Sequence, residues 1–263
     1  MTLPFAQIDA FADRPFTGNP AAVMPLDAWL DDTVLQAIAQ ENNLSETAFL
    51  VPDDSGAADY ELRWFTPATE VALCGHATLA SGHYVLSREP SRERVTFATR
   101  QAGFLSVERD GAGYAMALPA YLPNPMEVPG LREALGIEGG ETLRHPNGYD
   151  LTLLDSADAV LAITPDFHAL AAIGHTLNIV TARGNDTDVI SRVFAPAAGI
   201  DEDPVTGSAH SVLTPFWAER LGRPRFTAFQ ASKRGGRLDC ELVGDRAILR
   251  GRCVTVIEGR FAV

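Results

Sequence analysis

The run Asp201-Glu202-Asp203-Pro204-Val205-Thr206-Gly207-Ser208-Ala209-His210 places a carboxylate just ahead of a glycine-led apolar segment. Pro204 and Gly207 mark a turn. The following Ala209, Val212, Leu213, Phe216 and Trp217 predict a buried helix. A helix that opens at Gly207-Ser208 presents unpaired backbone N–H groups and the positive end of its dipole. That end can hold a carboxylate or a phosphate. Asp203, just outside it, can hold or pass a proton.

The first half of the chain carries an echo. Phe65-Thr66-Pro67-Ala68 leads through Glu70 to Cys74-Gly75-His76-Ala77. Phe194-Ala195-Pro196-Ala197 leads through acidic residues to Thr206-Gly207-Ser208-Ala209. Each reads as a strand end, an acidic loop, a glycine and an apolar helix. One copy per half predicts two similar domains with a ligand cleft between them, the usual place for a small-molecule site. His76, at the start of the first helix, points toward such a ligand. His83 and His210 are expected to be structural or surface residues.

Two further side chains join this set. Glu46 sits between a helix stop at Asn42-Asn43 and a buried run. A glutamate is most often solvated surface, but Leu44, Ala48 and Phe49 predict partial burial here, the condition that suits a general base or acid. Asn19 ends the turn-rich loop Asp13 to Pro20, and its amide can both donate and accept.

The elements that must position these residues follow from periodicity and punctuation. Helices are expected at Trp29 to Gln40, from Gly75 through Leu86, at Leu131 to Leu135, at Pro165 to Ile173 and after Gly207. The segment Ala77 to Leu86 has no polar stripe, so its helix is enclosed. Pro215 either kinks the last helix or marks its true first turn. Strands are expected at Gln7 to Phe11, Ala21 to Met24, Leu44 to Val51, Tyr60 to Phe65, Val95 to Ala102, Leu105 to Arg109, Tyr114 to Leu118, Tyr149 to Leu154, Ala159 to Ile163, Asn178 to Ala182 and Val189 to Phe194. A ladder of short strands fills Phe226 to Val263. The proline-rich Pro119 to Pro129 is the linker. It divides a first domain, residues 1–118, from a second, residues 119–253, with a last strand near 254–263 returning to the first.

Composition narrows the class. The chain has 263 residues, 46% hydrophobic and 21% charged, with a net charge of −13, an ordinary globular profile. The absence of a basic cluster argues against nucleic acid and acidic membranes as partners. No apolar run approaches the ~20 residues a bilayer span needs, and the N-terminal segment lacks signal-peptide features. Cys74, Cys240 and Cys253 make no disulfide framework, so a cytoplasmic location is expected. There is no Walker loop, no Gly-x-Gly-x-x-Gly, no His-Glu-x-x-His and no Gly-x-Ser-x-Gly. His and Cys show no metal-ligand spacing. The expected chemistry uses side chains and backbone dipoles, without a metal.

With these pieces in order, the chain resembles the phenazine-biosynthesis PhzF-like isomerases, which share a fold with diaminopimelate epimerase and proline racemase. The resemblance rests on Pro15-Phe16-x-Gly18-Asn19-Pro20, Asn43-Leu44-Ser45-Glu46-Thr47, Arg63-x-Phe65-Thr66-Pro67-x-x-Glu70, Cys74-Gly75-His76-Ala77-Thr78 and Glu202-Asp203-Pro204-Val205-Thr206-Gly207-Ser208-Ala209. It implies an α+β fold of two pseudo-symmetric domains, each a mostly antiparallel sheet curled around a central helix. It implies no cofactor, a homodimer, and a small carboxylated, unsaturated metabolite as substrate. Glu46 would move a proton between substrate carbons. His76 and Asp203 would orient the substrate or relay protons. Gly75, Gly207 and Ser208 would hold the substrate carboxylate, with Asn19 among the binding residues.

Epimerases of that fold use two opposed cysteines. Here Cys74 fills a comparable first position, but the second motif has no cysteine. Three readings therefore stand: a cofactor-independent isomerase with Glu46 as base, an epimerase or racemase using Cys74 with Asp203 or Glu46, and a non-catalytic metabolite-binding protein. Specificity would lie in loops such as Arg144 to Gly148 and Thr181 to Thr187.

Overall fold

A computed structural model describes residues 2–174 and 177–263. Met1, where the N-terminal reading begins, and residues 175 and 176 lie outside the described residues. The chain divides into two compact units: Met1–Leu118 with Arg250–Val263, and Pro119–Leu249.

The first unit contains β1 (Thr2–Ala10), β2 (Asn19–Pro25), α1 (Asp32–Asn42), β3 (Glu46–Pro52), β4 (Tyr60–Phe65), β5 (Glu70–Val71), α2 (Gly75–Arg88), β6 (Arg94–Thr99), β7 (Phe104–Asp110) and β8 (Gly113–Pro119). The C-terminal strand, Cys253–Ala262, pairs antiparallel with β1. β2 and β3 are parallel, β3 and β4 antiparallel, β4 and β6 parallel, β6 and β7 antiparallel.

α2 packs against β1, β2, β3, β6 and β7, so the sheet curls around it. Its residues from Gly75 to Gly82 are all buried, as the missing polar stripe requires. Gly82 permits the close approach: a Cβ there would lie 2.4 Å from the Val107 side chain on β7. On the sheet's other face, Leu35, Ile38 and Ala39 of α1 pack with Met24, Phe49 and Phe65. α1 stops where expected, at Asn43 in the left-handed conformation with φ 48°, but it starts at Asp32 rather than Trp29. Trp29 instead donates its Nε1–H to Glu61 at 2.8 Å.

The second unit contains β9 (Asn124–Pro125), α3 (Leu131–Leu135), β10 (Glu141–His145), β11 (Tyr149–Leu153), α4 (Ala157–Ala162), α5 (Phe167–Ile173), β12 (Leu177–Arg183), β13 (Val189–Phe194), α6 (Gly207–Leu221), β14 (Arg225–Gln230), β15 (Gly236–Val243) and all but the last two residues of β16 (Arg246–Gly251). Its core repeats the pairing order of the first unit: β11 and β12 parallel, β12 and β13 antiparallel, β13 and β14 parallel, β14 and β15 antiparallel. α6 is its buried helix, packing on β15 and joined to β12 by the Trp217 Nε1–H bond to Thr181 at 3.0 Å. α3, α4 and α5 cover the other face through Leu131, Val160 and Leu170 against Val180, Ala182 and Phe194. Each unit is thus an α+β layer around one enclosed helix.

Ala159 to Ile163 is not a strand: α4 occupies Ala157–Ala162, opened by Ser156, whose Oγ accepts from Ala159 N at 3.1 Å. Periodicity does not separate a short apolar run into helix or strand, and the parallel β11–β12 pair needs a crossover, which helices supply. β10 claims Arg144 and His145 from what reads as a loop, and β9 falls inside the proline-rich linker. Of the two readings of Pro215, the interior position in α6 excludes the first-turn one. It has no N–H for the Ser211 carbonyl four residues back. Tyr121 supplies that donor instead, its N–H reaching Ser211 O at 2.9 Å.

Candidate active site

In the first unit the predicted residues converge. Asn19 is the first residue of β2 and Glu46 the first of β3. The two strands are parallel, with Ala21 opposite Glu46, so both side chains lie at the same end of the pair. Gly18 makes Asn19's position possible. It has φ +67°, and a Cβ on it would meet the Ala10 carbonyl oxygen at 2.2 Å. α2 brings its N-terminus to this end, with Cys74 as N-cap and no side-chain cap bond.

His76 is the hub. Its Nδ1 is 3.2 Å from Asn19 Nδ2 and 3.5 Å from Cys74 Sγ. Its Nε2 is 3.0 Å from Glu46 Oε2. That last pair is close but not hydrogen-bonded: both atoms are buried and neither stands in hydrogen-bonding geometry with any group. Asn19 is fully buried, His76 is 4% exposed, and the Glu46 side chain 12%.

Burial opposes the protonated form of His76, but its interactions with Cys74 first and Glu46 second outweigh burial and hold the imidazole pKa well above its usual value. Cys74 itself is pushed up to about 11, first by burial and then by the Glu46 charge. At neutral pH Cys74 is therefore a thiol. Glu46, Cys74 and His76 also offer three metal-donor atoms within 4.8 Å of one another, the one such group among the described residues. A metal held there would displace the proton from Cys74.

In the second unit, Asp203, Gly207 and Ser208 gather at the start of α6. Thr206 is the N-cap, with no side-chain cap bond, and stands where the first unit has Cys74. Its hydroxyl donates to Asp203 Oδ2. Ser208 lies near Tyr149, whose hydroxyl pKa is raised by burial and partly lowered again by Ser208. Gln230, a residue the sequence does not flag, is fully buried and ties the turn together. Its Oε1 accepts from Thr206 N at 2.8 Å, and its Nε2 donates to Asp203 O at 2.8 Å. His210 is buried rather than on the surface; its Nδ1–H donates to Thr206 O at 2.8 Å.

The acidic loops are anchored alike. Arg63 of β4 holds Glu70 through two bonds of 2.7 and 2.8 Å. Arg192 of β13 holds Glu202 at 2.7 and 3.1 Å. Each guanidinium sits 5.0 Å from the ring of the phenylalanine two residues on, Phe65 or Phe194. The Arg-x-Phe spacing extends the Phe-x-Pro-Ala echo and is the signal that identifies both anchors.

The family described as "Phenazine biosynthesis-like protein" matches residues 8–259. The chain belongs to that family. A Pseudomonas aeruginosa protein named an uncharacterized isomerase is 50% identical over 261 residues, covering 98% of each chain. The human phenazine biosynthesis-like domain-containing protein is 38% identical, covering 98% of this chain and 99% of its own. The crystal structure of a PhzF family protein from Enterococcus faecalis superimposes with TM-score 0.92 at 42% identity over the whole of both chains. A hydroxyproline epimerase from Agrobacterium vitis, at 12% identity and TM-score 0.66, shares the fold. This PhzF-like chain is an isomerase. Among its described residues, no helix is long and apolar enough to cross a membrane.

Proposed function

We propose that the protein is a cofactor-independent isomerase that moves a proton between carbons of a small carboxylated, unsaturated metabolite. Glu46 is the base that takes the proton from carbon. The electron pair left behind spreads into the adjoining carbonyl or conjugated system, and a proton is returned at another carbon, so no oxidant is consumed. His76, protonated through its raised pKa, offers Nε2–H to the anion as it forms. The uncapped N–H groups at Gly75 hold the substrate carboxylate, the usual task of a helix N-terminus. In the second unit, Asp203 is proposed as a proton carrier, with Gly207 and Ser208 as anion holders.

One observation carries this reading. Glu46 Oε2 and His76 Nε2 lie 3.0 Å apart as a close ion pair, yet neither atom has a partner in hydrogen-bonding geometry. Buried polar atoms almost always have one. A base and an acid side by side, each with hydrogen-bonding capacity unused by the protein, fit a reacting molecule that bonds both. The threonine that stands in the second unit where the first has Cys74 weighs against a two-thiol racemase.

The test is a screen of carboxylated metabolites in deuterated water, scored by deuterium appearing on carbon. Glu46→Gln keeps the shape and loses the base. Turnover should fall about 10²- to 10⁴-fold while equilibrium binding of the same compound stays within severalfold. A fully active Glu46→Gln variant would remove Glu46 from the role. Binding without exchange by the wild type would favour a metabolite-binding protein, and loss of exchange on Cys74→Ala alone would favour the thiol reading.

A further inference from the structure

The contact between Asn19 and His76 raises a question of proton inventory. Nδ1 of His76 faces two groups that donate: the Asn19 amide nitrogen at 3.2 Å and the Cys74 thiol at 3.5 Å. That arrangement suits a neutral ring whose Nδ1 carries the lone pair and whose proton sits on Nε2. A proton carrier must also exist as the imidazolium, with N–H on both nitrogens. The site is closed to water at Asn19, which is fully buried, so the partner of Nδ1 must come from the protein. A neutral thiol is a poor acceptor. A primary amide accepts with its oxygen and donates with its nitrogen, and a half-turn of the amide exchanges the two.

We propose that Asn19 is a positioning residue for His76, its amide donating to Nδ1 of the neutral ring and accepting from Nδ1–H of the imidazolium, so that the proton exchanged in the reaction comes and goes at Nε2 beside Glu46. This rests on the reading of His76 as a proton carrier. The placement is rigid. Asn19 is fixed by strand pairing with Ala10 and by the left-handed Gly18, which no larger residue can replace without striking Ala10. The ring is fixed in the first turn of the enclosed α2. The titratable groups that face the ring are Glu46 on β3 and Cys74 at the head of α2; Asn19 on β2 adds no charge of its own. An aspartate at position 19 would serve the imidazolium alone. A leucine of similar size would serve neither state.

Histidine-selective nitrogen-15 NMR on the full chain reads this directly, with His76→Asn to assign the ring. In the wild type above its pKa, His76 should be the Nε2–H tautomer. In Asn19→Asp the titration should move up by about one pH unit or more and the neutral ring should shift toward Nδ1–H. In Asn19→Leu it should move down, with the tautomers mixed. On any compound the wild type turns over, Asn19→Asp should lower kcat at least tenfold with KM within about twofold. Unchanged titration and tautomer in a folded Asn19→Asp would overturn the proposal, and this near-isosteric variant decides if Asn19→Leu does not fold. The NMR result stands whether or not a substrate is found. An altered ring state without exchange activity would count against proton transfer by Glu46 and His76 and not against the role of Asn19.

Discussion

At His76, two opposing effects act on one proton. Burial works against the imidazolium, and nearby negative charge works for it. The neighbours prevail, Cys74 first and Glu46 second, because Sγ lies 3.5 Å from one ring nitrogen and Oε2 3.0 Å from the other, where little water screens them. The sign of the consequence follows. A folded pKa raised above the unfolded value near 6.5 gives stability that is complete below that value and is lost as pH rises through the folded pKa. Activity should lose the same proton. The pH–rate profile should therefore keep its acid-form activity past pH 6.5 and fall on the basic side. Thermal melts should show a loss of stability over the same range. In His76→Asn both slopes should vanish, and a basic limb that persisted there would belong to another group.

Among the elements, the two Arg-x-Phe strand ends explain how acidic loops can lead into buried helices. Arg63 is 3% exposed and surrounded by Glu70, Asp32 and two aromatic rings. Glu70 is correspondingly held below the usual carboxylate range by its bond to Arg63. Removing Arg63 forfeits two charge-assisted bonds to Glu70 and leaves it with Arg100, at 3.2 Å, as its cation. Arg63→Met should cost about 2 kcal/mol of stability, read from urea unfolding. It should also loosen the turn ahead of Gly75, seen as faster amide exchange there. A change below about 0.5 kcal/mol would show that the loop is held by something else. The F-x-P-A echo, the helix stop at Asn43 and the enclosed character of α2 are all legible in the chain, because each is a local matter of spacing and backbone preference. α4 is not legible. Its six residues are too few for periodicity to speak, and the demand for a helix comes from the parallel pairing of β11 with β12.

Across the molecule, 34 acidic residues against 21 basic ones leave a surface poorly suited to polyanions. Its response to acid has an identifiable interior source. His210 is buried, and that burial, only partly offset by its bond to Thr206 O, lowers its pKa to about 4. His83, between Tyr114 and Thr255 at 3.0 Å each, is lowered to about 4 by burial as well. Both stay neutral in the folded chain where the unfolded chain would take up a proton. Stability is therefore intact above pH 6.5 and declines as pH falls toward 4, by about 3 kcal/mol for His210. Chemical denaturation at pH 7 and pH 4.5 should show this loss, and His210→Gln should flatten it even if the variant starts less stable. An equal decline in that variant would place the acid sensitivity elsewhere.

The residues that form the candidate site could be picked out from the chain because glycine, proline and acidic groups leave marks at short range. Their neighbours along the chain set where helices open and which segments are enclosed. What the chain alone does not contain is who meets whom. Asn19 and His76 are 57 positions apart and touch only because β2 and α2 end at one place. Gln230 has no local pattern, since its role is to bond a turn made 24 and 27 residues earlier. The thiol state of Cys74 and the raised pKa of His76 likewise follow from burial and from charges a few ångströms away. Those distances come into being only when the sheet closes around its helix.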